Sequence, residues 1–452
     1  MNQSDLFELP PKRPTQKETA PTGKPRLRTA VRDQVVMRTL ALDQMLPHDD
    51  EARVVWAFVE QCDLSELYAG IRAVEGEPGR NTADPQILLA LWLFATLRGV
   101  GSARELDRLC ERHLSYQWLC GEVSMNHHTL SDFRVEHGEV LDRLLTQQVA
   151  ALMRAGAVQI KRVAQDGVRV RASAGKSSFR RRPTLENCLA AAKEQVEALK
   201  SLVNEDPAAA SRREKAARER AAQERLARVT RALTACDQVQ TQKEERGRDS
   251  LKTPARASTT DPDCRKLKTA DGGYQPAYNV QFATDTESQV IVGVDASNEH
   301  TDAGQLAPMV EQIKDRTGVQ PTEMLADASY LKTEDIQELN DPTQGRKVYI
   351  PVREAEKQLA KGKDPYAPRK GESPEITEWR TRMGTPEAQT IYKQRASTAE
   401  CVNALARQRG LVQFRVRGLG KVRTIAIWFA LAHNLRRWAV LCAQAETKVN
   451  SQ

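Results

Sequence analysis

Two aspartates in this chain occupy places where a carboxylate is seldom idle. Asp166 follows a β-rich run and precedes Gly167, and Asp327 closes the short apolar stretch Glu323-Met324-Leu325-Ala326. A carboxylate at a buried strand end is costly unless it is paired, hydrogen-bonded or metal-bound, so both are expected to project from strand ends into one cleft. Capping of the helix that begins nearby is the competing explanation for Asp327. Asp295 also ends a strand and is the chief competitor for a metal-ligand role. Glu400, between Ala399 and Cys401 in a helix expected from about Thr390 to Arg407, reads on its own as a surface glutamate. The histidines point elsewhere. His127 and His128 have no metal-binding spacing to any cysteine or third histidine and read as turn residues, and His300 reads as a cap before a helix containing Asp302.

The elements that position these acids follow from hydrophobic periodicity. Residues 1–34 carry five prolines among Lys, Thr and Arg with no apolar period, which predicts a disordered basic arm. From residue 35 to 155 the pattern is helical. Ile87, Leu88, Leu91, Leu93 and Leu97 form a wide apolar face that stops at Gly99 and Gly101. Ser102 with Glu105 reads as a capping box for the next helix, and Thr129 with Asp132 as a weaker start signal. Short helices of this kind fit a compact helical, DNA-binding domain related to helix-turn-helix proteins, with an ordinary bundle as the alternative.

A second domain, 156–445, opens with the strand around Val163, Asp166, Val168 and Val170. Residues 183–245 interrupt it with two apolar seams, Leu185 to Val203 and Ala222 to Cys236, joined by Asn204-Glu205-Asp206-Pro207. That pattern predicts an antiparallel coiled-coil hairpin. The runs 278–284 and 290–294 then predict a β-hairpin, followed by helix, strand, helix, strand and helix. The order fits an α/β fold with a mixed sheet.

With 68 Lys and Arg against 60 Asp and Glu, the chain has a formal charge of +8, and its basic residues recur in runs that can follow a phosphate backbone. The eight cysteines form no CxxC pair and read as reduced packing residues. No apolar stretch reaches the ~20 residues of a membrane span, so a cytoplasmic, nucleoid-associated protein is expected.

Three blocks carry a resemblance. Val163-Ala164-Gln165-Asp166-Gly167-Val168-Arg169 resembles the first-aspartate block of bacterial insertion-sequence transposases of the DDE type, and Leu325-Ala326-Asp327-Ala328-Ser329-Tyr330 their second-aspartate block. Tyr392, Arg395, Glu400 and Arg407 are similar to their tyrosine, arginine, glutamate and lysine signature. Two departures stand out: four residues instead of three separate Arg395 from Glu400, and Arg407 replaces the lysine. Asn126-His127-His128-Thr129-Leu130 and Gly273-Tyr274-Gln275-Pro276 add to the likeness.

The resemblance implies a ribonuclease-H-like catalytic domain in which Asp166, Asp327 and Glu400 hold two Mg2+ or Mn2+ ions. It further implies cleavage at the element ends and strand transfer into target DNA. Hard cations of this kind take oxygen ligands, and a pair can hold both the attacking and the leaving oxygen of a phosphoryl transfer. Tyr392, Arg395 and Arg407 are then expected at phosphates near the cut strand, and Arg415, Arg417, Lys421 and Arg423 on flanking duplex. Double-stranded DNA is the expected partner, and a homodimer forms in the DNA complex. The alternatives are a transposase-derived DNA-binding protein without catalysis and a metal-dependent nuclease or resolvase on the same fold. The presence of all three carboxylates argues against the first. The helical N-terminal domain argues against the second.

Overall fold

The computed structural model describes residues 35, 39, 41–74, 81–202, 209–247, 253–269 and 272–450. The expected basic arm, 1–34, and the turn Asn204-Glu205-Asp206-Pro207 lie outside the described residues. Within them the architecture is mixed α/β.

The sheet grows from β1 (Arg162–Arg171), where β-branched Val163, Val168 and Val170 are buried. The remaining strands are β2 (Phe179–Arg180), β3 (Ala257–Ser258), β4 (Arg265–Lys268), β5 (Tyr274–Asp285), β6 (Ile291–Ser297), β7 (Glu323–Leu325) and β8 (Lys347–Tyr349). β1 lies between antiparallel β5 and parallel β7, and β8 continues the parallel side. On the far edge of β5, β4 pairs with its first residues and β6 with the rest, both antiparallel. β5 and β6 form the expected hairpin, whose turn is fixed by Asp285 accepting from the Ser288 amide and hydroxyl.

One expectation needs correction here. Asp166 lies inside β1, not at its end. The site opens beside it because β7 is only three residues long and pairs with β1 at residues 162–164, leaving that side of Asp166 without a neighbouring strand.

Among the described residues, eight helices between Leu42 and Arg154 precede the sheet. The helix Pro85–Leu97 starts at Asp84, whose carboxylate accepts from the Gln86 amide, with Pro85 at the first turn. Its periodicity predicted one apolar face, yet every residue except Gln86 is buried. The reason is the C-terminal helix Leu419–Asn450, whose Val422 to Leu435 segment packs into the same core. Burial on that scale contributes roughly 1.5–3 kcal/mol for each large side chain. One half of the expected capping box forms: Ser102 accepts from the Glu105 amide and starts Ala103–Arg112. The next start is displaced. Asn126, not Thr129, caps His127–Glu136 by accepting from the His128 amide, so the two histidines open the helix instead of lying in a turn.

The insertion is two helices, Arg182–Leu202 and Ala209–Glu245. Arg182 contacts Asp237 and Arg225 reaches Gln195, so the helices run antiparallel. The expected seams bury Leu185, Ala192, Val196, Ala222, Val229 and Cys236. At its base β2 pairs with β3, Phe179 opposite Ser258. Among the described residues no helix is long and apolar enough to cross a membrane, and all eight cysteines are free thiols.

Candidate active site

The register of β1 and β7 sets the position of two acids. Ala164 pairs with Leu325, and each chain then continues two residues to an aspartate, Asp166 on one side and Asp327 on the other. Neighbouring strands lie ~4.8 Å apart, so the two carboxylates stand beside each other where the parallel pairing ends. Asp327 also caps the turn Ala328–Tyr330, accepting from the Ser329 amide at 2.7 Å. The capping role and a place in the site are therefore compatible.

The third acid arrives through an irregular helix. Pro386–Arg395 and Cys401–Gln408 are joined by a π-helical turn, Ala396–Glu400. A π turn takes up one more residue than an α turn, and it accounts for the four-residue spacing between Arg395 and Glu400. In a regular α-helix two residues five apart face different sides. Here Arg395 Nη2 donates to Glu400 Oε1 at 2.8 Å, and Nη1 stands 3.4 Å from Asp166 Oδ2. Arg395 also lies 5.9 Å from the centre of the Tyr392 ring. The arginine is 12 % exposed and Glu400 54 %, so the cation is the fixed member and the glutamate the free one.

Burial raises the Asp166 carboxyl above its usual range; the Arg395 charge opposes this, and the Asp327 charge adds to it. The Gly167 amide, 2.9 Å from Oδ1, and the Asn403 side chain hold it down. Burial also raises the Tyr392 phenol.

A buried polar group behind the acids was not identified from sequence. Asp302, 8 % exposed, accepts from Asn279, Gln281 and Arg169, and Ser329 bridges it to Asp327. Gly167 makes room for this network, because a side chain there would lie 2.6 Å from Gln281 Nε2 and 2.8 Å from Asp302 Oδ1. The signal near Asp302 was attached to His300 and read as capping. The competitor Asp295 is removed from the acids, since Arg423 pairs with it at 2.7 Å on β6.

The remaining expected cations do not gather at the acids. Arg407 is exposed, seven residues beyond Glu400. Arg417 donates to the Ser173 carbonyl, and Arg415 and Lys421 are exposed.

Among the described residues, no three His, Cys, Asp or Glu side chains form a ready cage for a metal ion. The donors still fit a hard divalent cation. They are all carboxylate oxygens, and Arg395, which now pairs with Asp166 and Glu400, would have to share them with the ion. Arg395 Nη1 is buried without a hydrogen-bond partner, a donor facing the acids with no acceptor in line.

This geometry meets two family matches. Residues 40–136 match the model of a transposase domain (DUF772), and residues 252–435 match that of a transposase DDE domain. Together they take in more than half of the chain, which belongs to the DDE-type insertion-sequence transposases. The second match includes Asp327 and Glu400, while β1 with Asp166 precedes it. No curated protein and no solved structure matches the chain. The protein is thus a DNA transposase; its partner is DNA, and its family typically uses divalent metal ions.

Proposed function

We propose that Asp166, Asp327 and Glu400 are the catalytic carboxylates of a transposase that cleaves the ends of its element and joins them to target DNA. The observation that carries this reading is the shared register of Asp166 and Asp327 at the end of β7, with Arg395 linking Asp166 to Glu400. The strand order β6-β5-β1-β7-β8, with β1, β7 and β8 parallel, supports a ribonuclease-H-like catalytic fold.

Two Mg2+ or Mn2+ ions held by these carboxylates would supply Lewis acidity to the attacking and leaving oxygens. The protein's own residues do the positioning. Arg395, held by Tyr392 and aimed at the acids, neutralises the phosphate at the cut, and its Nη1, 3.4 Å from Asp166 Oδ2 but without a hydrogen bond, is the donor for a phosphate oxygen. Ser329, whose hydroxyl also reaches Asp302, fixes Asp327 by hydrogen bonds from its amide and hydroxyl. Arg407, Arg417, Lys421 and Arg423 meet flanking duplex, with Arg423 released from Asp295 on binding. Joining two ends in one event calls for two copies of the site, so the protein acts as a homodimer on DNA at the bacterial chromosome. Comparing the size of the complex with and without end DNA tests that stoichiometry.

The test of catalysis is cleavage and strand transfer of labelled element-end DNA in Mg2+ or Mn2+ by wild type, Asp166→Asn, Asp327→Asn and Glu400→Gln. Folding and DNA binding are measured in parallel. Loss of cutting with binding retained in all three supports the triad. Normal cutting by any one removes that residue from it. A wild-type protein that binds and never cuts supports instead a DNA-binding role in which Arg395 simply pairs with Asp166 and Glu400.

A further inference from the structure

A cavity of about 830 Å3 opens between the start of Ala103–Arg112, the start of His127–Glu136, the end of β1 and the segment 409–416. No Asp or Glu lines it, whereas Arg104, Arg134, Arg171, Arg409 and Arg415 all do. None of the three catalytic carboxylates is part of it.

Arg134 is the unusual member. It is 8 % exposed, yet no carboxylate among the described residues pairs with it. Its guanidinium lies 4.4 Å from the centre of the Trp92 ring, and Nη1 donates to the Gly101 carbonyl at 2.6 Å. Its own carbonyl accepts from Trp428 Nε1 at 2.9 Å, so the residue is held at both ends. Nε is buried with no partner.

Arg415 approaches from the opposite wall. A side chain built at Gly101 would lie 3.9 Å from Arg134 Nη2 and 3.8 Å from Arg415 Nε, which places both guanidiniums over that glycine. Burial, followed by the Arg415 charge, lowers the Arg134 value to about 10. Two like charges brought together, with one donor left unpaired, lack an anion.

We propose that Arg134 and Arg415 form a clamp for a backbone phosphate of duplex DNA, separate from the cut site. The clamp rests on the reading of the chain as a transposase that binds DNA, and it specifies where one strand is held. Several observations favour a DNA phosphate as occupant. Arg134 lies within the matched transposase domain and Arg415 within the matched DDE domain, so the clamp joins the two. Arg171, on its wall, is five residues along β1 from Asp166, roughly 17 Å at strand rise. That distance equals about five base-pair rises of a duplex. A planar guanidinium pair also matches the geometry of a phosphodiester.

The experiment uses the full-length protein, a labelled mixed-sequence duplex and a salt series. Wild type is compared with Arg415→Gln, Arg415→Lys and Arg134→Gln, each checked for folding by circular dichroism. Arg415 is exposed, so its variants test the clamp even if Arg134→Gln does not fold. Arg415→Gln is expected to bind about tenfold more weakly. Its plot of log affinity against log salt should be shallower by about 0.9, the loss of one phosphate contact. Arg415→Lys should recover the slope, because it keeps the charge.

An unchanged slope in Arg415→Gln overturns the clamp. So does stabilisation of wild type alone by inorganic phosphate with no change in DNA slope, which identifies a site for a free anion. Wild type that binds and cuts DNA with variants of unaltered slope overturns only the clamp. Wild type that binds no duplex overturns the reading beneath it too.

Discussion

Asp166 and Arg171 share a strand but belong to opposite electrostatic environments. Between Asp166 and Glu400 stands the half-buried Arg395, with Arg169 paired to Asp302 behind them, and around Arg171 the cavity wall holds five arginines and no acid. In the first region the protein supplies part of its own counter-charge. In the second, two guanidiniums meet at Gly101 with none. Local pairing fixes Asp166 and Asp327 before any ligand arrives and leaves Glu400 free, whereas the basic cavity is completed from outside. On the proposed function, cutting belongs to the middle of β1, at Asp166, and holding of the duplex to its end, at Arg171.

The strongest way to break this contrast is to remove an acid. Asp166→Asn, Asp327→Asn or Glu400→Gln is expected to reduce cutting about a thousandfold, the scale of several kcal/mol lost from transition-state charge stabilisation, while duplex binding stays within a few-fold. A binding loss as large as the cutting loss would mean that the two regions are not separate. Next in size is Gly167→Ala, whose added carbon would meet Asn279 Oδ1 at 2.7 Å and Asp302 Oδ1 at 2.8 Å. Overpacking there should cost about 1–3 kcal/mol in urea unfolding. An unaltered midpoint would show that the network behind the acids yields easily.

On the basic side, Trp428→Phe leaves the Arg134 carbonyl without its donor, an expected loss of about 1–2 kcal/mol. Its DNA affinity should fall less than that of Arg415→Gln, because the cation remains. The smallest effect concerns pH. Burial, and next to it Asp327, raise the Asp166 carboxyl above 3.8, although Arg395 opposes them. A raised value favours the folded state while the group is protonated; that contribution is complete below pH 3.8 and is lost as pH rises through the folded value. Without divalent ions, Asp166→Asn should therefore melt above wild type at neutral pH, with the gap closing toward pH 3.8. Equal melting temperatures at neutral pH would show that Arg395 compensates the burial fully.

What could be read in advance follows from how local each signal is. The strand at Val163 to Val170, the hairpin seams and the Ser102 cap are written in short windows, and they are present. The Asn126 cap was also local, but Thr129 with Asp132 offered a competing start a few residues on. The position of Asp166 within a strand was not legible, because the opening beside it depends on where β7 stops, 161 residues later in the Ala164 and Leu325 pairing. Asp302 escaped for the same reason, its partners being Arg169, Asn279, Gln281 and Ser329. The extra residue between Arg395 and Glu400 was visible as a spacing anomaly. Its resolution by a π turn was not, since periodicity arguments assume one helical pitch throughout.

The short pairing of β2 with β3 has a consequence for the insertion. The chain leaves the body of the protein at Phe179 and returns opposite it at Ser258, so its two crossings lie one strand spacing apart. Among the described residues the insertion is rooted at this pairing, with Arg246, just past its second helix, also reaching Glu299. The longer helix, Ala209–Glu245, extends about 55 Å at helical rise, which makes the insertion a cantilever. Its length and surface can change between relatives while the sheet that carries the acids keeps its registration.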